Sequence, residues 1–441
     1  MKLSPKFLGV SLAAALALPS PSFAAEMKLS LTEALKLARS GNYMIKAAKS
    51  RVDQAEGRIV QTRQSSLPKV TLSETVLVTN DPGAALVFKL QQKTLQNTDF
   101  DAAKMVDPGF VNDFNTSLQV MQPIYNADAD KGKSMALKAK SAEELMATRT
   151  EETIGYQVSK IYYGMVLIKR NLEAVDQSIS LMQGYSAEAV RGYNAGMLTR
   201  SDKLSTEVRL AELQEQRLVL QSEFRNAGDM MKVMLHLGSD VTIVPTDELT
   251  VDAEPTAMAE LTAAPERTDL KAYDTWKEVA VLQGEMIDAS RMLRVNAFLN
   301  TNLHSTDIIG GGGNLMLGLN VQWTIYDGMA TAGRLQEAKA KEFEAYYSAE
   351  AAKRNSIAEV NRSLRSMRTA KSRITVANKA LDAAKVSLDY IGRQYKTGMA
   401  MTFELLMREQ AYTYSKMRLN QATYDYCVAK SDLEYYNGGA H

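Results

Sequence analysis

The chain has 441 residues, and its 52 basic side chains nearly match its 51 acidic ones, for a formal net charge of +1. That balance leaves no electrostatic footprint for nucleic acid and does not mark a basic membrane-surface protein. Cys427 is the lone cysteine, so no internal disulfide can form and stability must come from packing or assembly.

Residues 1–24 read as an export signal. Lys2 and Lys6 supply the positive start, Phe7 to Leu18 the apolar core, and Ser22-Phe23-Ala24 a small-x-small cleavage site. The apolar stretch is short for a span of about 20 residues. Cleavage would remove two lysines and leave a charge of +1 − 2 = −1. With no cysteine after the cleavage site, a lipoprotein anchor is not expected. No later window holds 18 consecutive apolar residues, so no transmembrane helix is expected. An exported chain of this kind goes to the periplasm, to the exterior, or into the outer membrane as strands.

A helical segment is expected over about 31–66, followed by a strand over about 68–79. There Val70, Leu72, Val76 and Val78 share a face, with Glu74 a polar exception among them. A long loop, about 80–113, is bracketed by Asp-Pro-Gly sequences at 81–83 and 107–109. Long loops of outer-membrane barrels face outward, so this insert reads as extracellular. Phe114, Leu118 and Val120 then mark a strand over about 114–123.

A long helix is expected over about 127–192. Its residues Ile154, Val158, Ile161, Met165, Ile168, Leu172, Val175, Ile179 and Met182 alternate steps of four and three, the repeat of left-handed coiled-coil packing. At 1.5 Å per residue a 65-residue helix runs roughly 100 Å, too long for an ordinary globular core. Gly196 offers the left-handed cap, and the short link to a second helix, about 198–237, implies an antiparallel hairpin. The stretch 239–265, with Pro245, Pro255 and Pro265, reads as a connector with one short strand and one short helix.

The same order then repeats: a helix over about 266–296, strands over about 297–308 and 315–326, and long helices over about 329–394 and 400–436. Leu315, Leu317, Leu319, Val321, Trp323 and Ile325 face one way, and Met316, Gly318, Asn320, Gln322 and Thr324 the other. Period two with one apolar face suits a lipid-facing barrel strand; a half-buried soluble sheet would alternate in the same way. In the long helix after it, Ile357, Val360, Leu364, Met367, Ile374, Leu381 and Leu388 continue the seam, interrupted by Lys371, Asn378 and Lys385. Those interruptions place one side of the seam against water or a wide lumen. The repetition is a tandem duplication: Tyr125 to Tyr326 is 326 − 125 = 201, and Gly196 to Gly398 is 398 − 196 = 202. Residues 25–238 form a first repeat and 266–441 a second, around the connector at 239–265.

Four strands cannot close a membrane barrel, and an open edge in hydrocarbon leaves unpaired backbone groups costing several kcal/mol each. Two copies would give 2 × 4 = 8 strands, whose interior side chains just fill; three give 3 × 4 = 12, with room for a passage. A homotrimer follows from closure plus a usable lumen. Catalytic chemistry is not expected. His236, His304 and His441 share no ligand spacing, and Gly310 to Gly313 precede a strand rather than the Lys-Ser/Thr of a phosphate loop. Met230, Met231 and Met234 read as helix packing rather than soft-metal ligands. No metal, cofactor or enzyme activity is implied.

Carried together, the signal segment, the duplicated strand and hairpin unit, Leu67-Pro68-Lys69-Val70, Gln122-Pro123-Ile124-Tyr125 and the paired Tyr-x-x-Gly tips resemble the TolC-type outer-membrane efflux family over nearly the whole mature chain. The resemblance implies a mainly α fold with a β-barrel part: a homotrimer whose 12-stranded outer-membrane barrel continues into a periplasmic helical tunnel. It implies passive conduction, with an inner-membrane transporter and a periplasmic adaptor loading the duct. Adaptor docking would fall on the tip turns Gly196, Met197, Leu198 and Gly398, Met399, Ala400. The family's acidic residue six positions after the glycine is matched by Asp202 and Glu404, which would line a periplasmic constriction with six carboxylates per trimer. As an alternative, each is a first-turn acid stabilised by its own helix N-terminus. Met407 and Ala400 stand where the best-known member has an aspartate and an arginine, so its polar latch is depleted. A reading of another class, a non-pore periplasmic or surface coiled-coil scaffold, remains open on residues alone.

Overall fold

The computed structural model describes residues 25–251, 259–308 and 310–439. The export signal at 1–24 and part of the connector therefore lie outside the described residues. Heptad spacing yields four long helices: α5 (Ala127–Asn194), α6 (Arg200–Leu235), α8 (Ala330–Lys396) and α9 (Thr402–Tyr436). Before them come β1 (Ala25–Leu29), α1 (Leu31–Gly41), α2 (Tyr43–Thr62), β2 (Lys69–Thr79), α3 (Pro82–Gln91), α4 (Ala102–Val106) and β3 (Val111–Asn126). Between α6 and α8 lie β4 (Val241–Pro245), α7 (Thr268–Ala289), β5 (Arg294–Ser305) and β6 (Gly312–Gln322).

The chain divides into two compact units. One holds a parallel ladder of β1 with β4, α1 and α6, and stretches of α5, α8 and α9. In it Val158, Met165, Val175 and Met182 are buried while Ile161, Ile168 and Ile179 are only half-buried. One edge of the heptad seam is therefore consumed within the chain and the other is left for further packing. In α8 the inward places beside the seam go to Ala370 and Ala377, both buried, and Asn378 and Lys385 are exposed. The Tyr162 hydroxyl donates to the Leu29 carbonyl at 2.9 Å and accepts from the Asp247 amide at 3.1 Å, which fastens the β1–β4 ladder to α5.

The other unit carries an antiparallel sheet in the order β2-β3-β5-β6. It also contains a buried ion network. Arg267 grips Asp269 with two bonds of 2.6 and 3.0 Å and reaches Glu359 at 2.6 Å. Arg149 stacks on the Tyr435 ring, 3.8 Å from its centroid. Burial alone would raise the Asp269 carboxyl, but bonding from Arg267 and the charges of Arg149 and Arg267 outweigh it and hold it below its ordinary value.

Several details differ from the sequence expectation, the first being that the stretch expected as a loop over 80–113 carries α3 and α4 and that β3 spans Val111–Asn126 rather than 114–123. The helix expected over 31–66 breaks at Asn42, which is extended and donates its side-chain amide to the Met234 carbonyl at 2.9 Å. β1 was not expected, because Ala-Glu-Met-Lys-Leu carries no usable alternation. The strand expected from 315 starts earlier, at Gly312, so Gly312 and Gly313 belong to β6. The last strand ends at Gln322, because its partner β5 begins at Arg294, opposite Gln322. Trp323 and Ile325 thus lie beyond the ladder, and the Trp323 indole donates to the Arg291 carbonyl at 3.1 Å.

Candidate functional site

The sheet is two-faced, and its register shows how. Val70, Val120, Leu299 and Leu317 form one row across all four strands, and Leu72, Leu118, Thr301 and Leu315 the next. Directly opposed residues share a face, so the alternate rows project on the other side. Those rows are Ser73, Ser117, Asn302, Asn314 and Thr71, Gln119, Asn300, Met316. Apolar side chains occupy one face, amides and hydroxyls the other. Glu74, the odd member of the apolar face, sits opposite Thr116, whose hydroxyl donates to its carboxylate at 2.5 Å. Leu317 is 77% exposed, and Leu315, Leu319 and Val321 are exposed beside it. A contiguous apolar surface of more than a few hundred Å2 is rare on a soluble monomer. Among the described residues, the outer edges of β2 and β6 have no strand partner.

The two hairpin tips lie in the helical unit. After α5 the chain turns at Gly196, whose φ of +72° is left-handed, and Met197 and Leu198 both donate to the Gly192 carbonyl, at 2.8 and 3.2 Å. After α8 it turns at Gly398, φ +74°, with Met399 donating to the Gln394 carbonyl at 2.9 Å. Met197 and Met399 stand out from their turns, both exposed. Leu198 and Ala400 instead fold inward onto a core of Met182, Tyr185, Leu213, Leu388, Tyr395 and Leu405. Burial leaves those two little surface to offer a partner.

Asp202 is the acid of a capping box. Its Oδ2 accepts from the Thr199 hydroxyl at 2.6 Å and the Thr199 amide at 3.1 Å, while its own amide donates to Thr199 Oγ1 at 3.1 Å. The Thr199 hydroxyl bond is the main reason that its carboxyl lies below the ordinary value. Glu404 is exposed and accepts one bond, from the Met401 amide at 3.3 Å. Met407, at the depleted latch position, is exposed.

Sequence reasoning missed a polar relay inside this unit. Glu409 is fully buried, and its Oε2 accepts from Arg209 Nε at 2.7 Å. Its Oε1 accepts from the Thr413 hydroxyl at 2.6 Å, which in turn contacts Ser178 at 2.5 Å. Burial works against the Arg209 charge, but the Glu409 carboxylate outweighs it and raises the guanidinium above its usual value. Two turns further along, Asn420 donates to Asn171 at 2.9 Å. A signal was available: Asn171 and Ser178 are seven residues apart, and so are Thr413 and Asn420, so polar residues recur at the heptad period itself.

Residues 266–439 match the family model described as outer membrane efflux protein. The alkaline protease secretion protein AprF of Pseudomonas aeruginosa is 22% identical over 346 residues, covering 73% of this chain and 69% of AprF. The outer membrane protein VceC of Vibrio cholerae superposes with a TM-score of 0.75 at 15% identity, over 93% of this chain and 97% of VceC. The CmeC outer membrane channel of Campylobacter jejuni gives 0.76 at 14% identity, over 93% and 86% of the two chains. The resemblance read from the residues is thereby borne out: this is a mainly helical chain of TolC-type fold whose residues 266–439 match the outer membrane efflux protein model. These relatives are outer-membrane channel and secretion proteins, not enzymes.

Proposed function

We propose that three copies of this chain close a 12-stranded outer-membrane barrel that continues into a periplasmic helical tunnel. The duct conducts solutes passively, as the outer component of a tripartite efflux or type I secretion system. The carrying observation is the four-strand row Val70, Val120, Leu299, Leu317, continuous across the sheet, exposed at Val70 and Leu317, half-buried at Val120 and Leu299, and backed by a face rich in amides and hydroxyls. Lipid covers such a face, and only neighbouring copies satisfy the free edges of β2 and β6. Tandem repeats at 25–238 and 266–441 give each protomer two strand pairs and two helical hairpins.

An energised inner-membrane transporter and a periplasmic adaptor load the duct. Adaptor contact falls on Gly196, Met197, Gly398 and Met399, with Leu198 and Ala400 shaping the turns from within. The secretion arm of this reading is supported by the name of AprF, a protease secretion protein. Asp202 and Glu404 place carboxylates near the narrow end, where such a ring favours cations. The expected behaviour is a heat-resistant oligomer, extracted only by detergent, with discrete conductance in planar bilayers. A monomeric, water-soluble mature protein without conductance would leave the scaffold reading in its place.

A further inference from the structure

The insert between β2 and β3 lies against one particular face of the sheet, and the register identifies which. Asn115 opposes His304, and His304 opposes Gly312. These three therefore project on the amide-and-hydroxyl side, as Ser117 and Asn302 do two residues away. At Gly312 the insert occupies the space a side chain would take. A Cβ there would stand 2.3 Å from the Gln91 carbonyl oxygen and 2.9 Å from Lys93 Cγ.

The insert is also fastened at this point. The Gln92 amide donates to Asp113 Oδ1 at 2.9 Å, to the Asn112 carbonyl at 2.8 Å and to the Ser305 carbonyl at 3.3 Å. The other oxygen of Asp113 lies 2.8 Å from His304 Nδ1. Gln92, Asp113 and His304 are all buried. Lys93, held left-handed at φ +57°, donates to the Gly313 carbonyl at 3.2 Å. Lys89 pairs with Asp99 at 2.8 Å, so the helical part of the insert is tied to its own second half. A flexible outer loop needs none of these bonds.

We propose that the insert is an outer-mouth constriction. The Gln92–Asp113–His304 pin folds it as a strap over the lumen side of the strand ends, which limits the size of what passes and sets a positive charge, Lys93, at the rim. This rests on the conduit reading, in which the polar face lines the lumen. Three straps, one per protomer, converge on a face whose rows nearest them, Asn115 and Ser117, Asn302, Asn314, are amides and a hydroxyl.

Full-length protein reconstituted in planar lipid bilayers tests it. Gly312→Leu drives the strap off the polar face while leaving the pin residues unchanged, and Gln92→Ala releases the pin. Each is expected to raise single-channel conductance measurably, since a constricted outer mouth adds its resistance in series with that of the periplasmic narrow end. Lys93→Cys offers a readout that does not depend on unpinning. A negatively charged methanethiosulfonate added from the outer side should move the reversal potential toward cation selectivity, and a bulky maleimide should cut the current. Variants that form pores with wild-type conductance, together with a silent modification at 93, would place the strap outside the permeation path. No pore from the wild-type protein would overturn the conduit reading, and the strap with it.

Discussion

The two hairpin tips share a backbone and differ in how their side chains use it. Both turn on a left-handed glycine three residues after a tyrosine, Tyr193 before Gly196 and Tyr395 before Gly398. Beyond the glycine they diverge. The first tip starts α6 with a full capping box, Thr199 and Asp202. The second starts α9 with Met401 in the cap position, so Glu404 receives one backbone bond and no hydroxyl answers it. It relies on contacts that it shares with the first hairpin, Tyr185 edge-on to Tyr395 and the buried Arg209–Glu409 pair. Both tips rest on one shared core, and the first adds a cap that the second lacks.

The largest expected effect is at that pair. Glu409→Ala leaves Arg209 without its buried partner and should cost about 3–5 kcal/mol, read as a fall in the midpoint of thermal unfolding. A smaller loss would mean that water reaches the relay. Exchanging the caps comes next, with opposite signs. Thr199→Ala should destabilise α6 by about 1 kcal/mol, whereas Met401→Ser completes a Ser-x-x-Glu box with Glu404 and should stabilise α9 by a similar amount. Amide hydrogen exchange over the first turns of the two helices would separate them. The glycines serve as the control: Gly196→Ala and Gly398→Ala should each cost about 1 kcal/mol, equally, since both φ values are positive.

Acid should loosen the first tip through its capping acid. The Asp202 carboxyl titrates lower in the folded chain than in the unfolded one. Its contribution is therefore complete above the unfolded value, about pH 3.9, and is lost as pH falls through the lower folded value. Amide protection at the start of α6 should drop below about pH 4, and Thr199→Ala should flatten that dependence. The smallest effect concerns conduction. Asp202→Asn with Glu404→Gln removes both charges while preserving acceptors at the caps, and should reduce cation selectivity; unchanged reversal potentials under a salt gradient would remove both residues from the pore.

The comparison also explains what the sequence could carry. The long helices are legible because a 3.5-residue repeat over many turns has few alternative explanations. The apolar strand face is legible for the same reason at period two. End points fare worse, because alternation continues through Trp323 and Ile325 after the partner strand has run out at Arg294. Glu74 looks misplaced until the register supplies Thr116 opposite it. Asp202 could be read as either a lumen acid or a cap, and only the folded chain shows Thr199 engaging it on both sides. Glu409 stayed hidden because a charged residue in a helix is ordinarily solvated, and its partner lies 200 residues away in the chain. Leu198 and Ala400 show a related limit: a turn motif aligns residues without saying which of them face inward.

Everything functional depends on lipid covering the apolar side of the sheet and water the other. With Cys427 replaced by serine, Leu317→Cys and Asn302→Cys place single thiols on the two faces, and a small membrane-impermeant maleimide applied to the reconstituted protein reads them directly. The account predicts that position 302 labels through the lumen while 317 stays protected until detergent is added. Equal labelling of both, with no lipid protection at 317, would contradict it.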